Sequence, residues 1–190
     1  MWKIKGHTLE FIESEHIYLC DGVILPSVTQ LLHSDKYKNV SAEVLNRAAE
    51  RGTAVHKAIQ NYCENGEKSD LKELRNFLFL KRNYKFDVEQ CEVPILIFKD
   101  EKPVVAGRLD LILKCEGKLG IADIKTTSKL DKIYLANQLN LYKIGFEQSY
   151  DTEISFLKGI HLKNDTRKYV DIPIDEISVQ GYLNECEVVV

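Results

Sequence analysis

Asp110 stands inside "GRLDLIL" (residues 107–113), and Asp123 and Lys125 stand inside "IADIKTTS" (residues 121–128), two stretches otherwise rich in Leu, Ile and Ala. A buried charge costs several kcal/mol unless it is paired or holds a metal. Two carboxylates about 4 Å apart repel by roughly 4 kcal/mol at an effective dielectric of 20. One lysine offsets part of this. A divalent cation offsets more, and hard oxygen ligands favour Mg²⁺ or Mn²⁺. A buried Asp–Lys pair with a second Asp at a strand end explains the same residues. The pattern (D/E)-x-K is weak alone, since "DLK", "DEK" and "EGK" recur at 70–72, 100–102 and 116–118. The apolar strand around "DIK" and the "GRLD" strand before it set this instance apart.

A hairpin must hold these charges. With Gly117-Lys118 as a two-residue turn of type II′, opposed positions sum to 235, so Asp110 faces Lys125 and Ile112 faces Asp123. Side chains alternate along strands, which puts all three charges on one face. Sliding the turn by one residue keeps them there, whereas a three-residue loop separates Asp110 from Asp123. Leu109, Leu111, Leu113, Ala122 and Ile124 then form the opposite, core face.

Around this pair, "HIYLCDGVILP" reads as a hairpin turning at Asp21-Gly22, and "PSVTQLL" as a short helix capped by Ser27. A long helix is expected from Ser41 to Asn65-Gly66, and a second in "SDLKELRNFLFLKRNY", capped by Ser69 or Asp70. Strands follow in "DVEQCEVPILIF", "PVVAGRLDLILK" and "LGIADIKT". A helix in "KIYLANQLNLYKIGFEQ" comes next, then strands "ISFLKGIHL" and "KYVDIPI" around "KNDT", and a last short helix near Asp175. This order describes an α/β sandwich around a mixed sheet.

The 190 residues, 44% hydrophobic and 29% charged, suffice for one globular domain. It divides into an N-terminal hairpin with helices (1–85) and a sheet with its helix (86–190). No run of eighteen apolar residues offers a membrane span. The start, "MWKIKGHTLEFIE", lacks a secretory core, which favours the cytoplasm. Five scattered cysteines with no CxxC pair give no local support for zinc or an iron–sulfur cluster, and reduced, mostly buried thiols are expected. A net charge of −3 neither advertises nor excludes a nucleic-acid partner.

The ordered residues resemble the PD-(D/E)XK nuclease superfamily, in its RecB-like and phage-type exonuclease branch. "GRLD" looks like that branch's G-x-x-D strand and "ADIK" like its (D/E)-x-K strand. Gln138 and Tyr142 in "QLNLY" match its Q-x-x-x-Y helix, and "RGTAVH" resembles its G-T-x-x-H segment. The motifs span residues 52–142, and outside them only "PSVTQLL" is reminiscent of the branch. The resemblance implies a restriction-endonuclease-like core with an N-terminal hairpin and helical extension. It also implies an Mg²⁺- or Mn²⁺-dependent deoxyribonuclease that hydrolyses phosphodiester bonds from DNA ends and leaves 5′-phosphates, as in phage recombination or RecB-like repair.

In that reading Asp110, Asp123 and Lys125 are catalytic. His56, Asp110, Asp123 and the Ile124 backbone carbonyl hold the metal, with an imidazole ligand admitting Mn²⁺. Lys125 orients water or stabilises phosphoryl charge. Gln138 touches a DNA phosphate or the attacking water while Tyr142 packs near the nucleic acid; Tyr134 extends their helix face. Core packing accounts for Tyr142 equally well, and a rim position for His56. Glu92 is a candidate further acid, against an exposed edge-strand charge. Arg51, with Arg47, Lys81, Arg82 and Lys85, contacts phosphates or belongs to solvated helix faces.

Implied partners are linear DNA, duplex or single-stranded, with a single-strand annealing protein or a helicase, since no GxxxxGK(S/T) motif is present, and further copies of the chain, as in ring-forming members of the branch. Two other readings stay open: an endonuclease of the same superfamily, and a catalytically silent nuclease-fold module that binds DNA or protein. The iron–sulfur subtype of CRISPR-adaptation relatives needs four clustered cysteines, and only Cys186 lies near the C-terminus.

Overall fold

The two charged stretches are neighbouring strands in a computed structural model that describes residues 1–32 and 42–186. Strand β6 (Lys102–Cys115) turns into β7 (Lys118–Lys125), pairing Cys115 with Lys118 and Leu111 with Ala122. The turn is therefore Glu116-Gly117, one residue earlier than expected. Both turn residues have left-handed φ (50° and 79°), the type I′ signature, in place of type II′. Ile112 faces Ile121, and extending the register sets Asp110 across from Asp123, not Lys125. The sum stays odd, so the charges keep to one face.

These strands lie in a mixed five-stranded sheet, β5-β6-β7-β8-β9. β5 (Asp87–Lys99), β6 and β7 run antiparallel. α4 (Lys132–Tyr150) then crosses over to β8 (Phe156–Lys163), which pairs in parallel with β7, and β9 (Thr166–Ile172) closes the edge. Asp131 caps α4, its Oδ1 accepting from Tyr134 N at 3.1 Å. A single 3-10 turn (Ile177–Val179) and α5 (Gln180–Asn184) follow where a last helix was expected.

Helices cover both faces of this sheet. One core joins Leu111, Leu113, Ala122 and Ile124 to Val55 and Ile59 of α2 (Ala42–Asn65) and to Leu74, Phe77 and Leu80 of α3 (Lys72–Tyr84). The other packs Ile112, Ile121 and Leu109 against Leu135, Leu139 and Tyr142 of α4, so Leu109 parts company with Leu111. α2 ends at Asn65, with Gly66 in the left-handed region and its N–H bonded to Tyr62 O at 2.9 Å. Its expected start at Ser41 lies outside the described residues. At α3 the expected caps fail: Leu71 occupies the N-cap position with no side-chain bond, and Ser69 Oγ accepts only from Leu71 N.

The first 25 residues form a second sheet, wholly antiparallel: β1 (Trp2–Ile4), β2 (His7–Ile12), β3 (Ile17–Cys20) and β4 (Val23–Leu25). The Asp21-Gly22 turn is present, and two strands precede the expected hairpin. Ile4, Leu9, Tyr18, Cys20 and Leu25 bury themselves on Leu96 and Ala106 of the large sheet. Ala106 N donates to Pro26 O at 3.0 Å, just before the Ser27 capping box of α1 (Val28–Leu31). All five cysteines are free; Cys20 and Cys186 are buried and the others half-buried. No described helix is long and apolar enough to cross a membrane.

Candidate active site

A cleft of about 510 Å³ opens between the small sheet and α2, with β5 and β6 as its floor. Gly52, His56 and Gln60 are four residues apart and line it from one face of α2. Glu92 and Asp110 line it from β5 and β6, Phe11 and His16 from the small sheet. Asp123 and Lys125 stand behind Asp110 on β7.

Strand β7 holds most of these charges in place. Ile124 N–H donates to Asp110 Oδ2 at 2.6 Å, fixing that carboxylate. His56 Nε2 lies 3.0 Å from Ile124 O, which turns Nδ1 toward Asp110 Oδ1 (3.4 Å) and Glu92 Oε1 (3.9 Å). Lys125 Nζ sits 2.7 Å from Asp123 Oδ2 and donates to Gln138 Oε1 at 2.8 Å. Gln138 Nε2 in turn reaches Tyr142 Oη at 3.4 Å.

Electrostatics follow from this crowding. Burial disfavours charge on His56, but the Asp110 charge and contacts with Asp110 and Glu92 outweigh it, pushing the imidazole up to about 11. Burial also works against Asp110, yet His56 and Lys125 hold it below the usual carboxylate range. Burial pushes Asp123 up to about 6, with Lys125 opposing and Asp110 adding. Lys125 is raised: burial lowers it, and Asp123 and Asp110 overcome that. The two carboxylates thus favour the charged ammonium.

Glu92 is a full member of the cluster, 20% exposed and bound through Oε2 to Arg108 Nε at 2.7 Å. Its φ is +52° in the middle of a strand. A non-glycine residue in the left-handed region is strained and persists only where its surroundings fix it, most often at a site. Arg108 is the residue the sequence reading passed over. It occupies the second position of "GRLD", lies 5.0 Å from the Phe11 ring centroid, and lines the cleft.

The structure gives Gln138, Tyr142 and two arginines definite surroundings. Gln138 is 4% exposed and faces Lys125, so it braces the lysine where a contact with phosphate or water was expected. Tyr142, 5% exposed, packs in the α4 core with one edge on the cleft. Gly107 makes room for that ring: a Cβ there would come 2.9 Å from Tyr142 Cε1. Arg51 turns away to Glu73 (2.5 Å) and Asn164 Oδ1 (3.3 Å), because Glu73 is buried on α3 and needs a counter-charge. Arg47 pairs with Glu43 along α2.

The donor set fits a divalent cation. Ligand atoms of His56, Glu92 and Asp110 lie within 4.8 Å of one another. Asp123 Oδ2 is buried and meets no donor in hydrogen-bonding geometry, despite its proximity to Lys125. His56 offers this set one nitrogen only: Nδ1 faces the Asp110 and Glu92 carboxylates, while Nε2, 3.0 Å from Ile124 O, is taken by that hydrogen bond. Oxygen donors with one imidazole match Mg²⁺ or Mn²⁺.

No family model matches this chain. No curated protein matches it either. A solved structure, that of SSO0001, is similar at 21% identity and a TM-score of 0.43, over 84% of this chain and 73% of that one.

Proposed function

We propose that the protein is a divalent-metal-dependent deoxyribonuclease of the PD-(D/E)XK kind, with a restriction-endonuclease-like core, that removes nucleotides from DNA ends. One observation carries the reading: Asp110 meets His56 and Glu92 at the cleft floor, with the Asp123–Lys125 pair directly behind it, the five residues coming from four separate elements.

His56, Glu92, Asp110, Asp123 and the Ile124 carbonyl would hold Mg²⁺ or Mn²⁺, which when bound supplies neutralising charge at a phosphoryl oxygen and activates water. Lys125, anchored by Gln138, stabilises negative charge developing on the phosphoryl group. Asp123 keeps that ammonium on the site side. Arg108 is positioned by Glu92 and Phe11 to contact a phosphate at the mouth. The Phe11 and Tyr18 rings, 4.7 Å apart, shield the small-sheet wall from water.

The test is digestion of end-labelled linear and closed circular DNA with Mn²⁺ by the unaltered protein, Asp123→Asn and Lys125→Met. Loss of nucleotide release in both folded variants is expected, with linear DNA the substrate. Activity retained by either variant overturns the mechanism, and cutting of closed circles overturns the end-dependence.

A further inference from the structure

A second groove, of about 890 Å³, lies on the far side of α2 from the cleft, between α3 and β9. Its described lining carries six cations and a single carboxylate, Asp87, in a chain whose net charge is −3. Lys81 pairs with Asp87 at 2.7 Å and Lys72 with Asp165 at its rim. Four positive charges remain in excess, from Arg75, Arg82, Lys85 and Arg167, all exposed.

The arrangement is more ordered than a solvated helix face. Arg167 stacks on the Phe79 ring, its Cζ 3.7 Å from the centroid, and Arg82 flanks the same ring at 5.9 Å. Stacking fixes the plane of a guanidinium while leaving its N–H edge free, the presentation that binds phosphate oxygens. α2 supplies Tyr62 to this groove and Lys57 and Gln60 to the cleft, so one helix forms the ridge between them. Five residues of helix separate Lys57 from Tyr62, about 7.5 Å along the axis.

We infer that the α3–β9 groove is a docking track for the phosphate backbone of the nucleic acid whose end occupies the cleft. The proposal rests on the nuclease reading for its substrate, and on charge and shape for its place. Arg82, Lys85 and Arg167 hold phosphates, and Tyr62 and Phe79 give an aromatic lining that bases of any sequence can touch.

The test measures affinity for a fluorescein-labelled 20-nucleotide single strand by anisotropy in EDTA, across a salt series, for the unaltered protein and the Arg82→Gln/Lys85→Gln/Arg167→Gln variant. A fall in affinity of about tenfold, and a flattening of the log–log salt slope by about 2, are expected if three phosphate contacts are lost. Hydrolysis of thymidine 5′-(p-nitrophenyl phosphate), small enough for the cleft alone, serves as the control and should hold. Unchanged affinity and slope overturn the track. Displacement of the strand by equal charge concentrations of polyglutamate also overturns it, assigning the groove to an acidic protein. If the unaltered protein binds the strand with the expected variant loss yet hydrolyses nothing, the track stands and the nuclease reading falls.

Discussion

Gln138 accepts a 2.8 Å hydrogen bond from Lys125 Nζ, tying the crossover helix α4 to the last residue of β7. A brace of this kind acts on the lysine's position, not on substrate affinity. Gln138→Met should lower kcat about tenfold, the equivalent of one hydrogen bond of about 1.4 kcal/mol, with KM little changed. A rise in KM at constant kcat would assign Gln138 to DNA contact instead. Gln138→Glu keeps an acceptor for Lys125 and should recover most of the loss.

Gly107 and Tyr142 set a steric limit beside that brace. Gly107→Ala forces a methyl against Tyr142, Val28 and Ile95, none of which can leave the core easily. Overpacking of this sort costs about 1–3 kcal/mol, which urea unfolding monitored by circular dichroism will read. A neutral Gly107→Ala would show that the ring has room to shift.

Glu92 holds a left-handed backbone that glycine adopts freely. Glu92→Gly should therefore be as stable as the unaltered protein, or up to about 1 kcal/mol more stable, in EDTA, while binding Mn²⁺ more weakly by calorimetry. Lower stability in EDTA with unchanged metal affinity would make Glu92 a structural residue only.

Metal binding also has a thermodynamic readout separate from catalysis. A cation bound only by the folded chain at a hundred times its Kd adds about 2.7 kcal/mol of stability. Mn²⁺ should raise the melting temperature of the unaltered protein, and Asp110→Asn and His56→Ala should abolish that rise. Equal shifts in all three would place the ion elsewhere.

Acid stability should report the Arg51–Glu73 pair. Burial raises the Glu73 carboxyl, but Arg51 and the Asn164 N–H overcome this and hold it below its ordinary value of 4.5. A depressed folded pKa stabilises the fold above the unfolded value, and that contribution is lost as pH falls from about 4.5 through the folded value. Arg51→Ala leaves Glu73 buried without its cation, costing about 1–3 kcal/mol at neutral pH. Its carboxyl should then titrate above 4.5, so the variant's deficit shrinks on acidification. A deficit independent of pH between 7 and 4 would refute the pairing.

The strands and their shared charged face were legible because alternation and apolar runs are local. The one-residue error in the β6–β7 turn did no harm for a physical reason: both candidate turns have two residues, and parity alone decides which face Asp110 and Asp123 share. The Glu116-Gly117 turn is type I′, with Glu116 in the left-handed region; type I′ and type II′ turns both match strand twist, so local turn chemistry does not separate them. Strands β1 and β2 went unread because three- and six-residue segments joined at Lys5-Gly6 carry little periodic signal. Partners distant in sequence were out of reach. Arg51 is claimed by Glu73 and Asn164, Gln138 by Lys125, and the turn of Glu92 into the cleft depends on a backbone angle that composition does not encode. Arg108 had one usable signal: it sits two residues before Asp110, and side chains two apart in a strand share a face.

The parallel pairing of β7 with β8 reaches across α4, and the charged groups at and behind the cleft floor come from α2, β5, β6 and β7. Such long-range pairing forms late, after loop-closure entropy has been met. A nascent chain emerging from the ribosome therefore presents acids, imidazole and ammonium as scattered side chains until β8, which ends at residue 163, can pair with β7. Under the proposed function, hydrolytic competence arrives only with native topology.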